Sequence, residues 1–274
     1  MRRLAAVGAA IGAIGLLAAC GGGGTPAAVT LLRNAPNSTA GAGTSRLETL
    51  IERPGSQPIK ITGEADFKAH RGHMLIDLSQ LGLPGPPLDA VYDNATVYEK
   101  FPPALAAALP QGKSWVKVDL ATAGRSVGSD FSALTQNGAS DPTQSLDFLR
   151  GASDSVSRVG TEDIRGTPTT HYRVVVDLDK AADASPTARN AIKSTIKLLG
   201  SARQPMDVWV DAQGRVRQLK YTVDLSKSKT ASSVPSVPGT VTFTLNLFDF
   251  GVPVQAVVPP ADQVADLGAL TGGK

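Results

Sequence analysis

Val208-Trp209-Val210-Asp211-Ala212-Gln213-Gly214-Arg215-Val216-Arg217-Gln218-Leu219-Lys220-Tyr221-Thr222-Val223-Asp224-Leu225 reads as two strands joined by a turn at Gln213-Gly214. Leu219, Tyr221, Val223 and Leu225 repeat at period two, and Lys220 and Asp224 take the other face. Val241, Phe243, Leu245 and Leu247 then alternate with Thr242, Thr244 and Asn246. Such one-face-apolar alternation marks an antiparallel sheet covered on one side and wet on the other. Between the two stretches, Lys227 to Pro238 is rich in Ser, Lys and Pro and reads as a long exposed loop.

The same period runs upstream. Leu47, Thr49 and Ile51 alternate with Glu48, Leu50 and Glu52. Ile59 to Phe67 forms a strand that turns around His70-Arg71-Gly72 and returns through Met74, Ile76 and Leu78. Val91 to Tyr98 reads as a hairpin turning at Asp93-Asn94. Trp115 to Leu120, Val156 to Ile164 and Tyr172 to Leu178 add further strands.

Helix signals interrupt this series. Thr25-Pro26 is an N-cap followed by proline at the first helical position, and the helix is expected to end near Asn34-Ala35-Pro36. Asp141-Pro142 starts a second helix that stops at Gly151. Ser185-Pro186 starts a third, stopped by Gly200, with Ala188, Ile192, Thr195, Ile196 and Leu199 on an apolar face. Arg189, Lys193 and Lys197 form a basic row beside that face, which is read as packing on a sheet. The fold class expected is α+β and mainly antiparallel β. About eleven strands would form an open half-barrel, because a sheet of that size curls, closes or splits, with a few helices covering its concave face.

Composition agrees. Aromatic residues make up 5%, against 28 Gly and 19 Pro, which favours short strands and turns over a helical bundle. Cys20 is the single cysteine, so no disulfide or thiolate metal site is expected. It follows Leu17-Ala18-Ala19, behind the basic Arg2-Arg3 and an apolar run from Leu4 to Leu17. The run contains Gly8, Gly12 and Gly15 and is shorter than the roughly 20 residues of a spanning helix. The stretch resembles a bacterial lipoprotein signal peptide, with Leu-Ala-Ala-Cys as its lipobox. That resemblance implies cleavage before Cys20 and a diacylglyceryl thioether on it. Two acyl chains anchor a protein stably, at about 0.8 kcal/mol per buried CH₂.

Residues 1–19 are therefore read as a signal peptide, 20–26 as the lipidated cysteine with its Gly-rich tether, and 27–274 as a single domain. Gly21 to Gly24 would hold that domain within roughly 10–15 Å of the membrane. Arg2 and Arg3 supply two of the 27 Lys and Arg, against 24 Asp and Glu, so the mature chain is nearly neutral. Nucleic acid is not an expected partner.

Nucleotide-binding signatures are missing. There is no phosphate-binding loop or dinucleotide fingerprint, and neither an enzyme nor a cofactor is expected. His70 and His73 flank a tight turn without a carboxylate or cysteine cluster, so no metal is expected there. His171 begins a strand and reads as an edge or partly buried polar residue. Asp207, Asp211 and Asp224 are read as strand or turn residues explained by solvation and turn geometry. Two Gly- or Pro-rich apolar segments, Leu78 to Leu88 and Phe101 to Leu109, either pack on the core or rim an apolar opening.

Taken in order, several stretches resemble a known group. They are the lipobox, Lys113 to Asp119, Val159 to Gly166 with Thr169 to Tyr172, Met206 to Gly214, and Phe248 to Val254 with Pro259-Pro260. They are similar to actinobacterial lipoproteins of the LppX/LprG type, which share the LolA-like fold. The resemblance implies a curved sheet and helices enclosing a hydrophobic cavity for acyl chains. It also implies transport of lipids or glycolipids, or envelope assembly, at the extracytoplasmic face of the cell membrane. It brings no catalytic residues. Half-barrels of this kind, such as the sensor RseB, also bind partner proteins, so an envelope protein is the alternative partner. A LolA-like domain can also have a filled core. From alternation alone, the candidate cavity wall is Met74, Ile76, Leu78, Tyr172, Val174, Val176, Leu219, Tyr221, Val223, Phe243 and Leu245. Leu81 and Leu83 are the candidate gate, and Cys20 is the lipid-attachment site.

Overall fold

A computed structural model of the chain describes residues 25–79, 85–94, 96–106, 109–110, 112–119, 142–224 and 239–266. Cys20, the glycine tether, Leu81, Leu83 and the loop from Lys227 to Pro238 lie outside the described residues.

Twelve strands form one sheet. In chain order they are β1 (Thr44–Glu52), β2 (Ile59–Asp66), β3 (Arg71–Ile76), β4 (Leu88–Asp93), β5 (Thr96–Lys100) and β6 (Trp115–Asp119), then β7 (Ala152–Ile164), β8 (Thr167–Asp177), β9 (Arg203–Val210), β10 (Val216–Asp224), β11 (Thr240–Phe248) and β12 (Val264–Asp266). Their spatial order is β12-β6-β5-β4-β3-β2-β1-β11-β10-β9-β8-β7, so the sheet is open, with β12 and β7 as its edges. The pairs are antiparallel except β12 with β6, which is parallel. Two hairpin-connected halves, β1 to β6 and β7 to β11, are joined through β1 and β11.

The turns follow local chemistry. Asn94 takes φ 54 at the tip of the β4–β5 hairpin, a left-handed conformation that asparagine tolerates. At the β9–β10 turn, buried Asp211 accepts the backbone N–H groups of Gln213 and Arg215 and pairs with Arg215 Nε at 2.8 Å. Gly214 supplies the positive φ of 77 there.

The helices are α1 (Pro26–Gly41), the single turn α2 (Pro103–Ala106), a 3-10 helix (Pro142–Gly151), α3 (Leu178–Ala184) and α4 (Arg189–Leu199), with a short 3-10 turn at Ala261–Gln263. α1, the long 3-10 helix and α3 pack on β7, β8 and β10, and α4 packs on α3. The face they cover is the inner face.

α1 departs from expectation by running through Pro36 for a further turn. Pro36 removes one helical N–H donor, but Val29, Leu32, Ala35, Pro36 and Thr39 together bury one stripe of the helix. Packing of that stripe outweighs the local proline preference. Thr39 then ties the extension to the sheet. Its hydroxyl donates to the Ala35 carbonyl at 2.7 Å and accepts the Val216 N–H at 2.9 Å, with no solvent exposure. Thr39→Val, which strands the Val216 donor, is expected to destabilise the fold by about 1–3 kcal/mol. Urea denaturation measures it, and an unchanged midpoint would refute this role.

Other boundaries also move. The element from Pro142 is a 3-10 helix and leads directly into β7. β8 ends at Asp177, whose carboxylate accepts the Asp179 and Lys180 N–H groups and so starts α3. Ser185 does not cap the last helix. Ala188 holds that position, and the Ser185 hydroxyl is buried without a hydrogen-bond partner among the described residues. Gly200 ends α4 in the left-handed conformation, as expected.

The outer face is also less wet than alternation implied. Residues 251–263 leave β11 and cross to the far edge of the sheet. Gly251 N–H donates to Thr44 O at 2.9 Å, Gln255 lies beside His73 and Leu75, and Ser114 N–H donates to Gln263 O at 3.0 Å. This strap ends by adding β12 to β6, and outward-facing Val91 of β4 is buried as well.

Candidate functional site

Strand register decides which side chains meet. Across the sheet, Tyr172, Val208, Leu219, Leu245, Thr49, Ile61, Ile76 and Leu88 lie in one cross-strand row. A second row runs Val174, Met206, Tyr221, Phe243, Ile51 and Ile59. The structure thus brings the strand members of the expected wall onto one face. Leu78 lies two residues past the end of β3 and is buried.

The two halves of that face differ. Near β8 and β10 the wall is packed by helices. Val174, Val176 and Leu219 have no exposure, and Phe148 of the 3-10 helix meets Tyr221 edge-on at 6.1 Å. Tyr221 stacks on Phe243 at 5.1 Å. These residues are core. The β2–β6 half continues the apolar surface away from the principal helix contacts. Met74, Ala90 and Tyr92 are buried there, and the Tyr92 ring occupies the space a Cβ on Gly72 would need, 2.3 Å away.

A third row on this half contains the exception. Leu47, Gly63, Met74, Ala90, Glu99, Val116 and Ala265 are in register across β1 to β6 and β12. Glu99 is 4% exposed in an otherwise apolar row, and it has no hydrogen bond or ion pair among the described residues. Burial alone raises its carboxyl pKa to about 7. The sequence signal for Glu99 is its phase alone, since it lies two residues from inward Val97 while Tyr98 and Lys100 take the opposite face.

The polar cluster around His171 lies on the outer face. His171 is buried, with Nδ1 2.8 Å from Glu162 Oε1 and Nε2 2.8 Å from Asp207 Oδ1. Its ring stacks on Trp209 at 4.1 Å, and Trp209 Nε1 donates to Glu162 Oε2 at 2.8 Å. Both ring nitrogens are engaged, and no hydroxyl or thiol nucleophile is among these partners. Asp207 is therefore more than a solvated strand residue. The Trp209 and His171 contacts hold the Glu162 carboxyl below its usual 4.5. A depressed carboxylate supports the fold above its unfolded pKa, and that support is lost as pH falls through the folded value. With Trp115→Phe isolating the signal, Trp209 emission is expected to change in acid as its acceptor protonates. Glu162→Gln should abolish that transition, and an unaltered acid transition would contradict the assignment.

His73 lies 2.8 Å from Asp89, and His70 sits in the turn at φ 50. No group of three potential metal-ligating residues occurs among the described residues. A groove of about 560 Å³ is present on the outer face, lined in part by Arg46, Glu64, His73, Leu75, Phe248 and Gln255. Its charged and open lining differs from the apolar inner wall. Among the described residues, no helix is long and apolar enough to cross a membrane.

No family model matches the chain. It is 28% identical over 260 residues to an uncharacterized 31.2 kDa protein of Streptomyces griseus, covering 87% of this chain and 78% of that one. It is 29% identical over 162 residues to a putative lipoprotein of Streptomyces coelicolor, covering 58% of this chain and 44% of that one. Among solved structures, it is similar to the Mycobacterium tuberculosis lipoprotein LppX at 12% identity, with a TM-score of 0.49, covering 85% of this chain and 99% of that one.

Proposed function

We propose that this chain is a membrane-tethered lipoprotein that binds lipid acyl chains along the inner face of its sheet. The observation that carries the reading is the continuity of the apolar inner rows from the helix-packed half into the β2–β6 half. A lipid chain that takes a place among these rows gains about 25 cal/mol per Å² of the apolar surface it buries. The lipobox supports the tether, and the putative lipoprotein relative in Streptomyces coelicolor supports the same class. Binding, with no chemical conversion, is the activity proposed. Transport of lipid or glycolipid would follow from binding and release near the membrane, within reach of the four-glycine tether.

Two measurements test this. Cys20→Ala should move the protein from the membrane fraction to the soluble fraction, and retention in the membrane would refute the acyl anchor. A fluorescent sixteen-carbon acyl probe should be taken up saturably by the purified protein. Absence of uptake would refute the lipid-binding reading.

A further inference from the structure

Charge is unevenly placed along this chain. From Ala184 to Met206 the sequence holds Arg189, Lys193, Lys197 and Arg203 and no acid, within a mature chain that is nearly neutral. Most of that stretch is α4, whose principal packing partner is α3 rather than the sheet. Ala188 and Ile192 are buried, and Ile196 and Leu199 pack against the core. Arg189, Lys193 and Lys197 each follow one of these apolar residues, so they share the neighbouring side of the helix, and all three are exposed. Arg189 donates to the carbonyls of Ala182 and Asp183 at the end of α3. Lys193 and Lys197 have no hydrogen bond or ion pair among the described residues. Around the sheet, by contrast, Arg46, Lys60, Arg165 and Arg173 each meet a carboxylate.

We propose that the basic side of α4 docks on an anionic membrane surface, as a contact additional to the acyl anchor. This rests on the tethered-lipoprotein reading above. Gly24, the last glycine of the tether, precedes Thr25, the N-cap of α1. α1, the long 3-10 helix, α3 and α4 pack in sequence as one helical layer. The tether therefore enters the domain through the layer that carries the unpaired lysines. Its reach of roughly 10–15 Å is within about two Debye lengths at physiological salt. Each lysine close to an anionic leaflet favours contact about fivefold. The apolar side of α4 is used inside the domain, so the contact is one of charge with headgroups, without insertion, and salt weakens it.

The test is amine acetylation of the full acylated chain on vesicles, with the rate at each lysine read by mass spectrometry. One set of vesicles is phosphatidylcholine alone, and the other is equal parts phosphatidylcholine and phosphatidylglycerol. Lys193 and Lys197 are expected to react about fivefold or more slowly on the anionic vesicles than on the neutral ones. Lys220, exposed on the outer face of the sheet, should react equally on both. Lys197→Gln should return about fivefold of the Lys193 rate on anionic vesicles. Salt at about 1 M, where the Debye length is about 3 Å, should erase the difference. Equal rates on the two vesicles, as fast as in detergent solution, would overturn the docking face and leave the acyl tether standing. Equal protection on both would also overturn it, in favour of apolar insertion. Protection on the protein's own membranes that is lost on protein-free vesicles would overturn it in favour of a protein partner. A chain that binds neither vesicle would overturn the tether and the docking face together.

Discussion

Glu99→Gln stabilises the protein by about 3 kcal/mol at pH 8 and by close to nothing at pH 4. The figure follows from a carboxyl raised from 4.5 to about 7 by burial, at about 1.4 kcal/mol per pKa unit. Below about pH 4 the group is protonated in both folded and unfolded chains and contributes no difference. Between 4.5 and about 7 the unfolded chain releases its proton while the folded chain keeps it. The folded state then binds more protons, so stability falls as pH rises, and above that window the loss is complete. Glutamine has nearly the same shape and no charge, so it removes the pH-dependent part alone. Urea denaturation of both proteins across the pH range measures it. Parallel stability curves would mean that Glu99 is ionised without cost, and hence not buried in an apolar wall.

Leu219→Ala is expected to cost about 2–5 kcal/mol, the range for a fully buried leucine whose surroundings relax only partly. Leu219 has no exposure and sits in the row between Val208 and Leu245, on a strand that α1 packs against. The experiment also separates two descriptions of the inner face. A leucine lining an open cavity would lose few contacts on truncation and cost well under 2 kcal/mol. A loss in the full range assigns this half of the sheet to a packed core.

Most of the sheet was legible because period-two alternation survives in nearly every strand. Leu219, Tyr221 and Val223, or Leu47, Thr49 and Ile51, announce their face without help. What could not be read locally depends on partners far away in the chain. α1 continues past Pro36 because its buried stripe packs in the core and Thr39 bonds a strand 177 residues away. β12 forms only because the strap delivers Val264–Asp266 to the free edge of β6. The His171 cluster requires register, since Glu162 and Asp207 lie nine and 36 residues from it. Glu99 was legible in principle, by its phase with Val97. Its charge hides it, because the alternation that marks an inner face is carried by apolar side chains.

Native mass spectrometry of the full chain, released gently from its own membranes, addresses the central claim most directly. The account predicts a species heavier than the Cys20-acylated polypeptide by the mass of a bound acyl lipid, and that lipid should dissociate on mild activation. A single species at the mass of the acylated polypeptide, unchanged after incubation with lipid, would contradict it.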